Sequence, residues 1–344
     1  MTNLNTTVST VKKILILLAI FVIVVSLISL IWLRFKTADN GSKQVSSEEI
    51  EPPKFTKTAF ITKQFDTQKL SLPQNTPKTL LAYKSSGGSD FLNKAPSLAQ
   101  QLGFNQPPTE TTDAIVGKKL FYDNQNIYLS IFQNGFSYSN FATQLTGSGR
   151  FAGPDELKNT AMSFISNAGI QADVSDEYST RYYQSSGEFE ELVNNPENAN
   201  IIEIILHYQI SGLKVIGQNI DVYARFNKLS ELRELVFNQF NPGEESGSYP
   251  VITVEEAVKQ LVAGKGNLVN AVSPSDYTPI PKQINRVNLQ KVYLAYNMPP
   301  KNGQTIQPVW VFEGTSTLNG KEAFLTYAVP AINSEFFENI PTQP

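Results

Sequence analysis

Residues 201–210, IIEIILHYQI, place Ile202, Ile204, Leu206, Tyr208 and Ile210 on one side of an extended chain. Side chains alternate between faces in a strand, so this segment has one wholly apolar face that must be covered. The other face carries Glu203, His207 and Gln209. His207 is the only histidine of the chain. Its position opposite the apolar face predicts a half-exposed strand histidine, with a pH-sensing or ligand-contact role as the alternative. Ser211-Gly212 predicts a turn, and a further strand runs over Lys214–Phe226. In its second half Ile220, Val222, Ala224 and Phe226 alternate with Asp221, Tyr223 and Arg225.

The same pattern recurs. Gly153-Pro154-Asp155-Glu156 puts proline and two acids at a helix start, where a missing N–H and negative charge are both favourable. Leu157, Ala161, Phe164, Ile165 and Ala168 then share one helical face, and Gly169 stops the helix. Strands follow at Val174–Tyr183, Ile201–Ile210 and Lys214–Phe226. A second helix opens on Thr253-Val254-Glu255-Glu256, a capping box. Its face is Ala257, Val258, Leu261 and Val262, and Gly264 ends it. After a loop over 265–283, strands are predicted at Arg286–Tyr296, Gln307–Glu313 and Lys321–Ala331. A helix over three antiparallel strands buries both amphipathic surfaces. Ahead of these units, strands are predicted at Ala59–Phe65 and Thr79–Tyr83. A hairpin follows with Leu120 and Tyr122 before its turn and Ile127, Leu129 and Ile131 after it, and Phe136 and Tyr138 extend a third strand. Residues 229–240 fit neither helix nor strand well.

Residues 14–33, ILILLAIFVIVVSLISLIWL, contain no charge. At about 1.5 Å per residue they span roughly 30 Å, the thickness of a bilayer core. Trp32, Leu33 and Arg34 follow instead of a small-residue cleavage site, so an uncleaved signal anchor is expected, with the N-terminus cytoplasmic and the C-terminal part extracytoplasmic. Residues 1–36 hold four basic groups and no acid, so the remainder carries −7 within an overall charge of −3. An acidic body argues against a nucleic-acid partner.

The chemistry-bearing motifs are weak. The chain has no cysteine, which excludes disulfides, thiol catalysis and zinc–thiolate sites. With one histidine, only oxygen ligands remain for a metal, and no calcium-loop pattern occurs, so neither metal nor cofactor is expected. Gly147-Ser148-Gly149 resembles a dinucleotide fingerprint but follows a segment too polar for a central parallel strand. Glu190-Glu191, Glu244-Glu245 and Glu255-Glu256 are adjacent pairs whose side chains diverge. Ser211-Gly-Leu-Lys214 fits S-x-x-K, but Ser9-Thr-Val-Lys12 fits it too, and the S-x-N and K-T-G partners of serine acyl-enzymes are missing. Tyr293, Tyr296, Trp310, Phe312 and Tyr327 fall on three consecutive predicted strands. They read as aromatic core and cross-strand pairs, or as a partner- or ligand-binding surface.

The segments VITVEEAVKQLVAGKG, VYLAYNMPP, QPVWVFEG and FLTYAVPAI, with HYQISGLKVIGQNIDVYARF before them, resemble YycH/YycI-type membrane-anchored regulators and the wider PepSY-like group, over about residues 153–331. The resemblance implies an accessory domain that contacts a sensor kinase or restrains a peptidase, without catalytic residues.

The expected architecture is therefore α+β: cytoplasmic tail 1–13, transmembrane helix 14–33, flexible tether 34–57, β-rich part 58–150, α-β-β-β units at 153–240 and 250–334, each sheet covered by a helix, and tail 335–344. The expected function is a single-pass, extracytoplasmic, non-catalytic protein that binds or regulates another envelope protein. A glycan- or peptide-binding protein and a carboxylate-dependent envelope hydrolase are the alternatives.

Overall fold

The apolar strand 201–210 pairs with three others, over Val174–Ser185, Leu213–Ile216 and Val222–Asn227. The computed structural model describes residues 49–55, 61–86, 90–113, 117–145, 149–186, 189–217, 220–273, 281–299, 304–318 and 320–337. Its elements begin with β1 (Ile61–Asp66), β2 (Thr79–Lys84), α1 (Phe91–Gln101), β3 (Thr109–Asp113), β4 (Gly117–Asn124), β5 (Ile127–Phe132) and β6 (Gly135–Asn140). Then come α2 (Pro154–Asn167), β7 (Val174–Ser185), β8 (Glu190–Val193), β9 (Ile201–Ile210), β10 (Leu213–Ile216), β11 (Val222–Asn227), β12 (Leu232–Asn238) and β13 (Glu244–Pro250). The last are α3 (Val254–Gln260), β14 (Asn267–Val272), β15 (Gln283–Asn297), β16 (Thr305–Leu318) and β17 (Lys321–Pro330).

Antiparallel pairing runs in the order β3-β4-β5-β6-β12-β11-β9-β7-β8. A second group runs β14-β17-β16-β15-β1, with β15 and β1 parallel. Strand β2 pairs with both β13 and β16. Strand β10 joins the two groups. Its first residues pair with β9 (Leu213 with Ile210, Lys214 with Gln209), and its last pair in parallel with β15 (Val215 with Tyr296). Ser211 and Gly212 both have positive φ, 51° and 79°, the primed turn whose twist suits a two-residue hairpin.

This corrects the α+β expectation. The described residues are mostly β, and hydrogen bonds connect their seventeen strands into one mixed network; they do not form a pair of three-stranded units each under its own helix. Periodicity reveals that a segment is a strand but not what it pairs with. Thus β6 of the region 58–150 pairs with β12 of the expected first unit, along Phe136–Phe237 and Tyr138–Leu235. The polar segments TETTD and EESGSYP, which lack apolar alternation, form β3 and β13 through their partners. Residues 229–240 contain β12, and the expected loop 265–283 begins with β14.

The single-pass transmembrane reading is corrected for the described residues alone: no helix among them is long and apolar enough to cross a membrane. Among the described residues the longest of the three α-helices, α2, has 14 residues, short of the ~20 that a span needs. Residues 14–33 lie outside the described residues, as do Gly147, Ser148 and 274–280. Within the expected tether, Ile50 is buried, and its N–H donates to the Phe336 carbonyl at 2.9 Å.

One core unites Phe91, Ala95 and Leu98 of α1 and Leu157, Ala161 and Ile165 of α2 with the even-numbered face of β9 and with Val222, Phe226 and Phe237. A second gathers Val254, Ala257 and Leu261 against Val287, Leu294, Trp310, Phe312 and Val329. Thr253 caps α3 by accepting from the Glu256 N–H at 3.3 Å. Val262, expected on the buried face, is 55% exposed, because Gly264 (φ 80°) ends the helix in an irregular turn.

Candidate functional site

The polar face of β9 is not half-exposed, as the alternation predicted. Glu203 and His207 are only 5% and 7% exposed. Burying such groups is costly unless each is hydrogen-bonded or ion-paired, and both are.

Glu203 receives Arg225 Nε–H on Oε1 at 3.0 Å and Arg181 Nη1–H on Oε2 at 3.3 Å, with the Tyr183 hydroxyl donating to Oε2 at 3.4 Å. Arg225 also meets Glu190 at 3.1 Å and Glu234 at 3.5 Å, and its guanidinium lies 4.9 Å from the Tyr183 ring centroid. Burial works against its charge, but Glu203, Glu190 and Glu234 outweigh that and hold its pKa above the ordinary arginine value. Register places these residues: Arg225 and Arg181 both sit opposite Glu203, on β11 and β7.

His207 sits four residues farther along β9. Its Nδ1 is 2.7 Å from Asp221 Oδ1 and its Nε2 is 3.0 Å from Ser179 Oγ. A carboxylate only accepts, so Nδ1–H donates to Asp221; Nε2 is then the acceptor for the Ser179 hydroxyl in a neutral ring. Val222 pairs with Leu206, which sets Asp221 beside His207, and Ser179 pairs with Ile205, one step along the same face. Strands β7 and β9 and the residue leading into β11 thus supply one hydroxyl, one imidazole and one carboxylate in a row. Ser179 is exposed at the outer end of that row.

Ser179 and His207 line a cavity of about 490 Å3 together with Gln209, Lys214, Tyr293 and Glu313. Ser179 and Glu313 also line a second cavity of about 480 Å3, bordered by Arg181, Gln290 and Phe324. The cleft therefore lies between the β7/β9 side of one strand group and the β15/β16 side of the other, next to the β9–β10 turn. Burial holds the Lys214 amine below the ordinary lysine range, against the pull of Asp221 and Glu313. The Tyr293 hydroxyl donates to Glu313 Oε1 at 2.6 Å. Burial first, then the Glu313 charge, pushes that phenol well above its usual range. Desolvated ionisable groups gathered beside a cavity make this cleft the candidate functional site.

Of the five aromatic residues read as core and cross-strand pairs or as a binding surface, Tyr293 and Trp310 line this cleft, and only Tyr293 brings a polar group to it. Trp310 and Phe312 are 0% exposed, Tyr296 1% and Tyr327 3%, so none of these four presents a ring to a partner. Trp310 donates its indole N–H to the Ile252 carbonyl at 3.1 Å. Tyr296 packs edge-on against Tyr83, and Tyr327 hydrogen-bonds Thr62 at 2.6 Å. Their alternate positions on β15, β16 and β17 face the core, and strand period alone does not tell core from surface when both faces of a sheet are covered. Ser211 and Lys214 do not form a dyad: Ser211 is at the turn, and Lys214 is in β10 opposite Gln209. Glu190 and Glu191 diverge, one to Arg225 and the other to Lys321. Among the described residues no cluster of three or more His, Cys, Asp or Glu side chains is placed to hold a metal ion. Ser179 and Asp221 carried no local motif. The one available signal was the polar odd-numbered face of β9, which required matching faces on its neighbours.

No family model matches the chain, and no curated protein matches it. The chain is similar to a solved structure of an uncharacterized protein from Eubacterium rectale ATCC 33656, at 11% identity and a TM-score of 0.47 over 82% of this chain and 90% of that one. A likeness of this degree carries no functional argument.

Proposed function

We propose that this chain is a binding protein that engages another protein, and regulates it, through the polar cleft between the β7/β9 and β15/β16 strands. The observation that carries the reading is the ionisable set on the cleft wall: Lys214, Tyr293, Glu313 and His207 with Asp221, kept there despite the desolvation cost. Such a set discriminates among polar partner segments, because a mismatched segment leaves buried charges unmatched. The same role is what the resemblance of residues 153–331 to YycH/YycI-type and PepSY-like regulators implies. An aromatic groove for glycans built on Trp310 loses its motivation, since that ring is fully buried.

The test is photo-crosslinking in living cells with a benzophenone side chain at Gln209 or Asn75, both of which line the cleft, and at the exposed Glu156 of α2 as control. Distinct protein adducts from the two cleft positions, missing from Glu156, support the reading. No adducts from the cleft, or the same adducts from all three positions, refute it.

A further inference from the structure

We infer that Ser179, His207 and Asp221 form an acyl-transfer relay, and that the chain hydrolyses small carboxylic esters in the cavity they border. This goes beyond the binding reading and does not depend on it.

The geometry meets three requirements of an activated serine. The nucleophile and base are in hydrogen-bond contact, 3.0 Å from Oγ to Nε2. The base is oriented by a third group, Asp221, at 2.7 Å. Access is graded in the right order: Ser179 is exposed and lines a 490 Å3 cavity, while the side chains of His207 and Asp221 behind it are 8% and 18% exposed. A cavity of this size holds a small ligand. Lys214 and Lys291 line the same cavity. The relay is distinct from S-x-x-K chemistry, because Ser211 plays no part in it.

In the first step Ser179 Oγ forms a bond to the ester carbonyl carbon as its proton passes to His207 Nε2. The carbon–oxygen bond to the alcohol then breaks, and the Nε2 proton goes to the departing alkoxide, leaving an acyl ester on Ser179. Water next attacks that carbonyl, giving one proton to Nε2. The bond to Oγ breaks and Oγ recovers the proton. One ester and one water yield one acid and one alcohol, with no change of oxidation state. Asp221 is a positioning residue that holds the imidazole tautomer.

The experiment uses the full-length chain, kept in mild detergent because of its apolar residues 14–33, with a fluorophosphonate probe and p-nitrophenyl acetate. The expected result is a probe adduct mapped by mass spectrometry to Ser179, absent in Ser179→Ala, and an esterase rate about 10²–10⁴-fold lower in His207→Gln. Probe on other residues only, no reaction at all, or equal rates in wild type and a folded His207→Gln overturn the inference. Should His207→Gln not fold, Ser179→Cys serves in its place, since the native chain has no other thiol. The relay should make iodoacetamide react at Cys in place of Ser179 at least about tenfold faster than at Cys in place of the exposed Ser97; equal rates refute it. Crosslinking from Gln209 in the wild-type chain reads partner binding without reference to the esterase assay, so failure of the relay and failure of the binding reading are separate outcomes.

Discussion

Replacing Glu203 with leucine removes the centre of the buried charge cluster. Its side chain is 6% exposed and is held by Arg225 at 3.0 Å and Arg181 at 3.3 Å. Breaking a fully buried pair by removing one partner costs about 3–5 kcal/mol, chiefly from the charge left behind. Two features reduce that here. Arg225 keeps Glu190 and Glu234 at 3.1 and 3.5 Å, and the Arg225 and Arg181 side chains retain 21% and 30% exposure, which lets water screen them. The expected loss is therefore about 2–3 kcal/mol, or a fall in melting temperature of about 4–9 °C for a body of this size. The internal reference is Glu191→Leu, which breaks the exposed pair with Lys321, both partners nearly half exposed. That change should cost no more than about 0.5 kcal/mol. Calorimetry and urea unfolding of the two variants give the comparison directly. If Glu203→Leu loses no more than Glu191→Leu, the cluster does not hold the β7–β9–β11 face together, and the energetic argument for the site fails.

Further outcomes follow from the same structure. Trp310→Ala, at a 0% exposed position, should lower stability by about 3–5 kcal/mol in urea unfolding, while crosslinking from Gln209 survives at temperatures where the variant is folded. Gly243→Ala places a methyl group 2.1 Å from the Lys84 carbonyl at φ 77°; it should destabilise by about 2 kcal/mol or more through clash and strain together. Burial raises the phenols of Tyr208, Tyr223, Tyr293 and Tyr296 above the ordinary value. A raised folded pKa contributes stability that is complete below the unfolded tyrosine value, about 10, and is lost as pH rises through the folded value. The tyrosinate absorbance of these four, read as the difference between the wild type and single Tyr→Phe variants, should accordingly appear in step with unfolding above about pH 10, and ionisation of these four well ahead of unfolding would contradict the burial. The depressed Lys214 amine acts in the opposite sense, because its penalty is relieved as pH rises toward the unfolded lysine value.

Local chemistry made several elements legible. The alternation of 201–210, the paired hairpins around Leu120–Tyr138, the proline and acids before Leu157 and the Thr253 cap each describe one segment, and a segment's period and caps are written in its own residues. What pairs with what is not. TETTD and EESGSYP have no amphipathic signal, and they become strands because β4 and β2 supply the ladder. The burial of Glu203 and His207 was invisible for the same reason. An odd-numbered polar face reads as solvent-facing until Arg181, Arg225, Ser179 and Asp221 arrive from 14 to 28 residues away on either side. Of the site itself, His207, Tyr293 and Lys214 stood out beforehand, Lys214 only within a motif that does not form, and of the aromatic residues read as core or as a surface Tyr296, Trp310, Phe312 and Tyr327 are core.

The central claim is that the cleft beside the β9–β10 turn is the working face of the molecule. Crosslinking in intact cells with amine- and carboxylate-reactive reagents, followed by mass-spectrometric mapping, tests it without choosing a position in advance. The account predicts bridges to a partner protein that start at Lys291 and Glu177, both of which line the cavity and are exposed. Bridges that start only at distant groups such as Lys118 on β4, with Lys291 and Glu177 unmodified by any partner, would contradict it.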